Sequence, residues 1–439
     1  MPTSLWQTDS MPTLSEDLRF RGVVHQVTDE SVLDRLDRGG VTAYIGFDPT
    51  SRSLHVGNLL QLVTLRRLQL AGNRPLVVAG GGTGVIGDPG GRLDERQLLG
   101  DAELVSNIAS VREQLTRYLD FSEHAGDHAA LLLDNATWLR TLPLLEFLRD
   151  VGKHFTVNQM IAKDSVRSRL ERPDVGISFT EFSYMLLQAY DFLRLHVDYG
   201  CDLQLGGSDQ WGNITMGVEY VRKLTGDLAF GLTTPLLTKA DGTKLGKSTL
   251  TDEKVWLDRT RTSPFQLYQF FVNTEDEMVG TMLRLLTFIE HDEILELERQ
   301  AAEQPAGRAA QRKLAVELVS FVHSEADAIA SVAASEALFD ESVAGLDLST
   351  LEAVTADAPS TTVSRESLVK GLRVIELLTE TGVCASLGES RRAIGQGGIY
   401  VNNRRVASDD AIVGAEDLLH DRYLLLRRGK RHPHVVVAR

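Results

Sequence analysis

Between Val41 and Leu237 short apolar runs of strand character alternate with longer stretches of helical period. The strand-like runs are Val41–Phe47, Leu76–Ala79, Leu131–Leu133, Asp202–Leu205 and Thr233–Leu237, and amphipathic stretches such as Leu59–Leu70 and Glu103–Leu119 fall between them. This alternation predicts an α/β domain with a mainly parallel sheet, whose ligands sit in the loops at the carboxyl ends of the strands. From Pro264 to about Phe339 apolar positions recur three and four apart, as in the segments beginning at Met282 and Leu314, and predict helices. Residues 341–367 are rich in Ser, Thr, Ala and Asp and read as a linker; from Leu368 to Arg439 the pattern resumes as a small α+β module.

Composition narrows the class. The chain has 439 residues, 43% hydrophobic and 24% charged, which is an ordinary globular balance and excludes disorder or a coiled coil as the main theme. Its net charge of −15, from 61 acidic against 46 basic residues, argues at first against nucleic acid, because phosphate binding depends on basic surface. Cys201 and Cys384 stand far apart, so a disulfide framework and a cysteine zinc site are not expected, and the cytoplasm is the expected compartment. The N-terminal residues lack the basic and apolar regions of a signal peptide and read as a polar tail; no apolar run long enough to span a membrane follows. Arginine supplies most of the positive charge. Of only ten lysines, three (Lys239, Lys244 and Lys247) fall within nine residues.

Two glycine-bearing regions carry candidate chemistry. After the run Leu76–Ala79, Gly82, Gly84 and Gly87 satisfy G-x-G-x-x-G, the dinucleotide fingerprint. That fingerprint needs a helix opening at its third glycine, and Asp88-Pro89-Gly90-Gly91 breaks the chain there; no Gly-Lys-Ser/Thr follows to make a Walker loop. A loop that admits a substrate close to the backbone remains, with Asp88 at its tip. Earlier, His55, Gly57 and Asn58 follow a strand and open a helix, where backbone N–H groups face outward and favour an anion. In isolation His55 reads as a turn residue and Asn58 as a cap. The polar loop TKADGTKLGKSTL can bring two lysine point charges onto a polyphosphate, or be a plain basic loop. Tyr184, Gln188 and Asp191, four and three apart, share one face of a helix whose other positions are apolar; alone, this is the wet side of an amphipathic helix.

In this order, HVGN at 55–58 and KLGKS at 244–248 resemble the HIGH and KMSKS signatures of the class I aminoacyl-tRNA synthetases. Together with YIGFDPT at 44–50, GDPGG at 87–91, ISFTEFSYMLLQAYDFLRL at 177–195 and LGGSDQWGNI at 205–214, they make nearly the whole chain resemble the bacterial tyrosyl family of that class. Asn58 replaces the signature's last histidine but still donates a hydrogen bond, and both signature lysines are present.

The resemblance implies a Rossmann-like parallel-sheet catalytic domain over 14–248 after a tail of residues 1–13. It further implies a helical anticodon-binding domain over 249–340, the linker 341–367 and an S4-like RNA-binding domain over 368–439. It implies ATP-dependent charging of tRNA(Tyr) with L-tyrosine through tyrosyl-adenylate, releasing pyrophosphate and AMP. Tyr44, Asp88, Tyr184, Gln188, Asp191, Gln210 and Asn135 would then hold tyrosine. Asp48, His55, Gly57, Asn58, Asp209, Lys244, Lys247 and Ser248 would hold ATP, with His55, Lys244, Lys247 and Thr50 acting on the phosphates. Arg92 and Arg96 are further candidate phosphate contacts. Magnesium would arrive on the ATP phosphates, with no tightly bound protein metal. A homodimer is implied as well, its interface near Phe179 and the segment from Phe147 to Phe155, and no membrane association.

In the C-terminal module Arg391, Arg392, Arg404, Arg405, Arg427, Arg428, Lys430 and Arg431 are the candidate tRNA contacts. From Ser390 onward ten Lys/Arg face five Asp/Glu, net +5, which leaves −20 on the other 389 residues. The average charge therefore describes the body, and a basic appendage removes the objection to RNA. Three alternatives stay open on residues alone: a tryptophanyl relative, a stand-alone S4-like RNA-binding protein, and a dehydrogenase.

Overall fold

The computed structural model describes residues 12–88, 100–171, 176–238, 243, 245, 254–337, 341–355, 358–429 and 433–439. The chain forms two compact units, Met1–Arg261 with Thr274–Leu314, and Thr262–Asn273 with Ala315–Arg439.

The first unit is built on a six-stranded sheet of β1 (Gln26–Val27), β2 (Thr42–Phe47), β3 (Arg74–Ala79), β4 (Leu131–Asp134), β5 (Cys201–Gly207) and β6 (Phe230–Thr234), in the order β1-β6-β5-β2-β3-β4. All neighbours pair in parallel except β1, which lies antiparallel on β6. The chain winds outward from β2 through β3 to β4, then returns to the other side of β2 as β5. The topological switch point therefore lies between β2 and β5, and a crevice opens at their carboxyl ends. The expected α/β fold class is thus present. The last strand sits earlier than the run Thr233–Leu237 suggests, because Pro235 has no N–H for the ladder and the strand stops at Thr234.

Helix Leu59–Leu70 was expected to be amphipathic, yet it is buried almost all round, with Thr64 and Arg67 inside along with its leucines. Helix Phe179–Tyr199 begins where Ser178 Oγ accepts the Glu181 N–H at 3.2 Å and ends at Gly200, whose φ of 64° is the left-handed conformation glycine adopts without strain. Its Met185, Ala189 and Phe192 join Tyr44, Leu76, Val78 and Met216 in one apolar cluster, which fixes the adjoining face of Tyr184, Gln188 and Asp191 relative to the sheet.

In the second unit, strands Ile399–Val401, Arg404–Arg405, Tyr423–Arg428, His434–Ala438 and Ser360–Val363 form a five-stranded sheet. Within 341–367, the stretch expected as a linker, Leu348–Thr355 is helical and Ser360–Val363 pairs in parallel with Val435–Ala438. The polar composition hid a strand whose β-branched residues suit a ladder. The helical stretch expected as one domain is divided as well: Phe265 packs with Ala334, Val343, Leu351 and Tyr423 of the second unit, whereas 274–314 belong to the first. Periodicity marks a helix but does not say which neighbour covers its apolar face.

Candidate functional site

A cavity of about 400 Å³ opens at the carboxyl ends of β2 and β5, inside the first unit. It is lined by Tyr44, Asp48, Thr50, His55, Gly57, Asn58, Asp88, Asn135, Tyr184, Gln188, Asp191, Asp209 and Gln210, which are all the described members of the site expected from sequence for tyrosine and ATP. Lys244, Lys247 and Ser248, with Arg92 and Arg96, lie outside the described residues.

At the deep end β2 presents Tyr44, in register with Gln204 of β5 and Leu76 of β3. The Tyr44 hydroxyl is buried without a hydrogen-bond partner among the described residues. Burial, reinforced by the nearby Asp191 charge, pushes its pKa well above the usual phenol value. Asp191 is only 4% exposed. Its Oδ2 accepts from Asn135 Nδ2 at 2.9 Å and its Oδ1 from Trp138 Nε1 at 2.6 Å. Burial raises the Asp191 pKa to about 7 against the lowering effect of those two donors, and the Asp48 charge adds to the rise. Asn135 also ties the glycine loop to this carboxylate, accepting from the Gly82 N–H at 2.7 Å and donating to Thr83 Oγ1 at 3.0 Å.

That loop needs its glycines. A Cβ on Gly80 would stand 2.7 Å from Asp48 Oδ1, and one on Gly81 only 2.1 Å from Asp134 Oδ1. Gly87 has a φ of 82°, so no helix opens at the third glycine of the fingerprint, and the dinucleotide alternative loses its structural requirement.

Midway along the cavity, Gln210 Nε2 donates to Asp88 Oδ2 at 2.6 Å, and its Oε1 accepts from Gln188 Nε2 at 3.3 Å and from Asn213 Nδ2 at 3.1 Å. The Tyr184 hydroxyl reaches Asp48 Oδ1 at 3.5 Å. This is a polar ring of amide and carboxylate oxygens suited to an ammonium group.

At the outer end the sequence folds back on itself. Gly57 N–H donates to His55 Nδ1 at 3.0 Å and His55 N–H to Asn58 Oδ1 at 3.0 Å, a reciprocal cap on the turn Val56–Asn58. The cap orders the motif in two ways. With Nδ1 accepting, the neutral imidazole carries its proton on Nε2 as a donor; with Oδ1 engaged, Asn58 keeps its amide N–H groups. A Cβ at Gly57 would press within 2.9 Å of the imidazole, so only glycine permits this fold-back.

Sequence reasoning missed Trp138, Thr83 and Asn213, which hold the expected residues in place. Asn213 was legible as the i+3 neighbour of Gln210 on one helix face; Trp138 carried no signal beyond standing three residues after Asn135. Gln204, Gln61, Lys254 and Trp256 also line the cavity. In the second unit Arg391, Arg392, Arg404 and Arg405 are exposed. Arg391 Nε lies 3.5 Å from Asp409 Oδ2; Arg427 donates to Asn403 and Gly429 and lies over the Tyr400 ring, while Arg428 pairs with Glu389 at 2.7 Å. Lys430 and Arg431 lie outside the described residues.

Comparison with known proteins follows the same division. Residues 37–340 match the family model of class I tRNA synthetases (W and Y), and residues 350–436 match a tyrosine–tRNA ligase SYY-like C-terminal domain. The chain is 49% identical to a tyrosine–tRNA ligase of Roseiflexus castenholzii, over 97% of this chain and 99% of that one. It is 48% identical to one of Opitutus terrae, again over 97% and 99%. Among solved structures, a C-terminally truncated mitochondrial tyrosyl-tRNA synthetase of Aspergillus nidulans superposes with a TM-score of 0.66 at 34% identity, covering 75% of this chain and 95% of that one.

Proposed function

Because the chain belongs to the class I tRNA synthetases, in the branch of the tyrosine–tRNA ligases, we propose that it charges tRNA(Tyr) with L-tyrosine in two steps in the cytoplasm. The tyrosine carboxylate attacks the α-phosphate of ATP, forming tyrosyl-adenylate as pyrophosphate leaves. A terminal ribose hydroxyl of the tRNA then takes the acyl group and AMP leaves. No protein nucleophile is needed, since the attacking carboxylate is already ionised, and catalysis is positioning plus stabilisation of charge on the departing pyrophosphate.

The observation that carries the amino-acid assignment is the deep end of the cavity, where the buried Tyr44 hydroxyl, without a partner among the described residues, lines the same space as the buried Asp191 carboxylate. A substrate phenol satisfies both, accepting from Tyr44 and donating to Asp191. Phenylalanine gives the Tyr44 hydroxyl no acceptor and Asp191 no phenolic donor beside Asn135 and Trp138, at about 1–3 kcal/mol each, which amounts to tens to ten-thousands-fold in rate. Tyr184, Gln188 and Asp88 then receive the α-ammonium group, Gln210 lies toward the carboxylate, and Asn135 orients Asp191.

At the outer end, Asp48, Gly57, Asn58 and Asp209 take the nucleotide, and His55 and Thr50 the phosphates. Lys244, Lys247 and Ser248 join them on the sequence reading. ATP enters as its magnesium complex, the ion supplying charge neutralisation on the phosphates. Among the described residues no cluster of three metal-ligating side chains occurs, and no protein ligand is assigned to it. Arg392, Arg404 and Arg405, exposed on the basic module, are the tRNA contacts we favour over Arg391, which pairs with Asp409, and over Arg427 and Arg428, which are engaged within the fold. The exposed Leu144, Leu145 and Phe179, the last 77% accessible, support a homodimer through that face.

ATP–pyrophosphate exchange tests the reading. Exchange driven by tyrosine, with phenylalanine and tryptophan weaker by at least a hundredfold, is expected; equal exchange with tryptophan would overturn the amino-acid assignment.

A further inference from the structure

An ATP molecule brings three to four negative charges into this cavity, yet the described lining carries four carboxylates, Asp48, Asp88, Asp191 and Asp209. Among those lining residues one lysine opposes them, Lys254. Its position is built. The segment after KLGKS returns to pair with the HVGN turn: Val56 N–H donates to Val255 O at 2.9 Å and Leu257 N–H to Leu54 O at 2.9 Å, with His55 opposite Trp256 in an antiparallel bridge. The Trp256 ring meets the His55 imidazole edge-on at 6.2 Å between centroids. The Arg261 guanidinium lies 3.4 Å from the Trp256 ring centre and donates to Ser51 Oγ at 2.7 Å, and the Lys254 ammonium lies 5.3 Å from the same ring. A cation over an indole face is restrained without losing its charge. The two backbone hydrogen bonds fix Lys254 two residues before Trp256, the bridge partner of His55, on the wall where the phosphates are proposed to lie.

We propose that Lys254 is a further phosphate-binding cation of the ATP site, held by the Trp256 bridge beside His55 and distinct from the lysines of KLGKS. The assignment rests on the reading of the cavity as an ATP site. A charge-assisted hydrogen bond of this kind corresponds to about a tenfold to hundredfold effect.

The test is a charge series at one position. In pyrophosphate exchange, Lys254→Met is expected to lower kcat/KM for ATP by about tenfold or more with the KM for tyrosine unchanged; Lys254→Arg should retain most activity and Lys254→Glu should fall below Lys254→Met. An unchanged tyrosine KM shows at the same time that the variant is folded. Calorimetric titration with MgATP alone reads the same contact without amino acid or chemistry. A Lys254→Met protein that matches the wild type within twofold in both measurements overturns the proposal, as does an equal loss toward tyrosine and ATP. If the wild type binds MgATP and Lys254→Met weakens it while tyrosine drives no exchange, the reading of the amino-acid pocket fails and this assignment stands. If the wild type binds no MgATP, both fall.

Discussion

At the scale of single residues, the deep end of the cavity is governed by a contest over one carboxylate. Burial pushes Asp191 up to about 7, and the donors Asn135 and Trp138 hold it from rising further. An ionised Asp191 accepts a phenolic proton and a protonated one does not. The kcat/KM for tyrosine should therefore rise between pH 6 and 8 with a midpoint near 7, and Asp191→Asn should flatten that rise, as steady-state exchange across pH would show. The linked stability has the opposite sense. In the ligand-free fold Asp191 keeps a proton that the unfolded chain releases near 3.8, so its contribution is full below about pH 4 and is lost as pH rises through about 7. Thermal melts of the apo protein should decline across that window, and less so for Asp191→Asn. The spacing of Tyr184, Gln188 and Asp191 placed them on one face from sequence alone. Nothing in it told that Trp138 would donate to Asp191, because that contact joins residues 53 apart through the fold.

At the scale of elements, strand runs at β2 to β5 were legible because apolar residues of β character cluster between turn signals, and Pro235 explains where β6 stops. Helix Leu59–Leu70 was legible in extent but not in surroundings. Its Arg67 is 1% exposed, with its guanidinium 3.5 Å from Asp17 Oδ2 and donating to the carbonyls of Leu285 and Thr287. Asp17 in turn accepts from Arg21 Nε at 2.5 Å and meets His291 Nε2 at 2.8 Å. Burial, with Arg21 close by, lowers the Arg67 pKa to about 9 against the pull of Asp17, so the group stays charged at neutral pH. The helix that opens at HVGN is thereby fastened to the end of helix Asp276–Leu286. Arg67→Ala leaves Asp17 with Arg21 and His291 and Thr287 O with Arg21, but takes the side-chain donor from Leu285 O and empties a buried site, and should cost about 1–3 kcal/mol in urea denaturation. A loss under 1 kcal/mol would show that water or a neighbouring side chain takes the place of the guanidinium.

At the scale of the whole molecule, the charge is divided as the chemistry requires. The acidic bulk discourages non-specific polyanion binding, while Ser390–Arg439 carries net +5. Arg404 and Arg405 sit together on a two-residue strand, both exposed. Replacing both by Glu should lower kcat/KM for tRNA charging about tenfold or more and shrink its salt dependence by roughly two units of slope. Pyrophosphate exchange without tRNA should be unchanged; an equal fall in both assays would mean that the change had damaged the fold. Truncation before Leu368 is a poorer probe, since it would strip strand Ser360–Val363 of its partner His434–Ala438 and uncover Phe265, Ala334 and Leu351.

Local chemistry was thus readable from the chain by itself: which runs are strands, where proline and glycine interrupt them, which polar side chains share a helix face, and which short motifs gather glycine with histidine or lysine. Those properties depend on near neighbours, so periodicity and spacing carry them. Tertiary structure alone decided the rest. It brought residues 44 to 256 around one cavity at the β2–β5 switch point, desolvated Asp191 until its pKa rose to about 7, and set Lys254 two residues before the Trp256 bridge to His55. It also divided the helical stretch between two units. Burial and long-range pairing are properties of what folds against a residue, and the residues that do so stand far away in the chain.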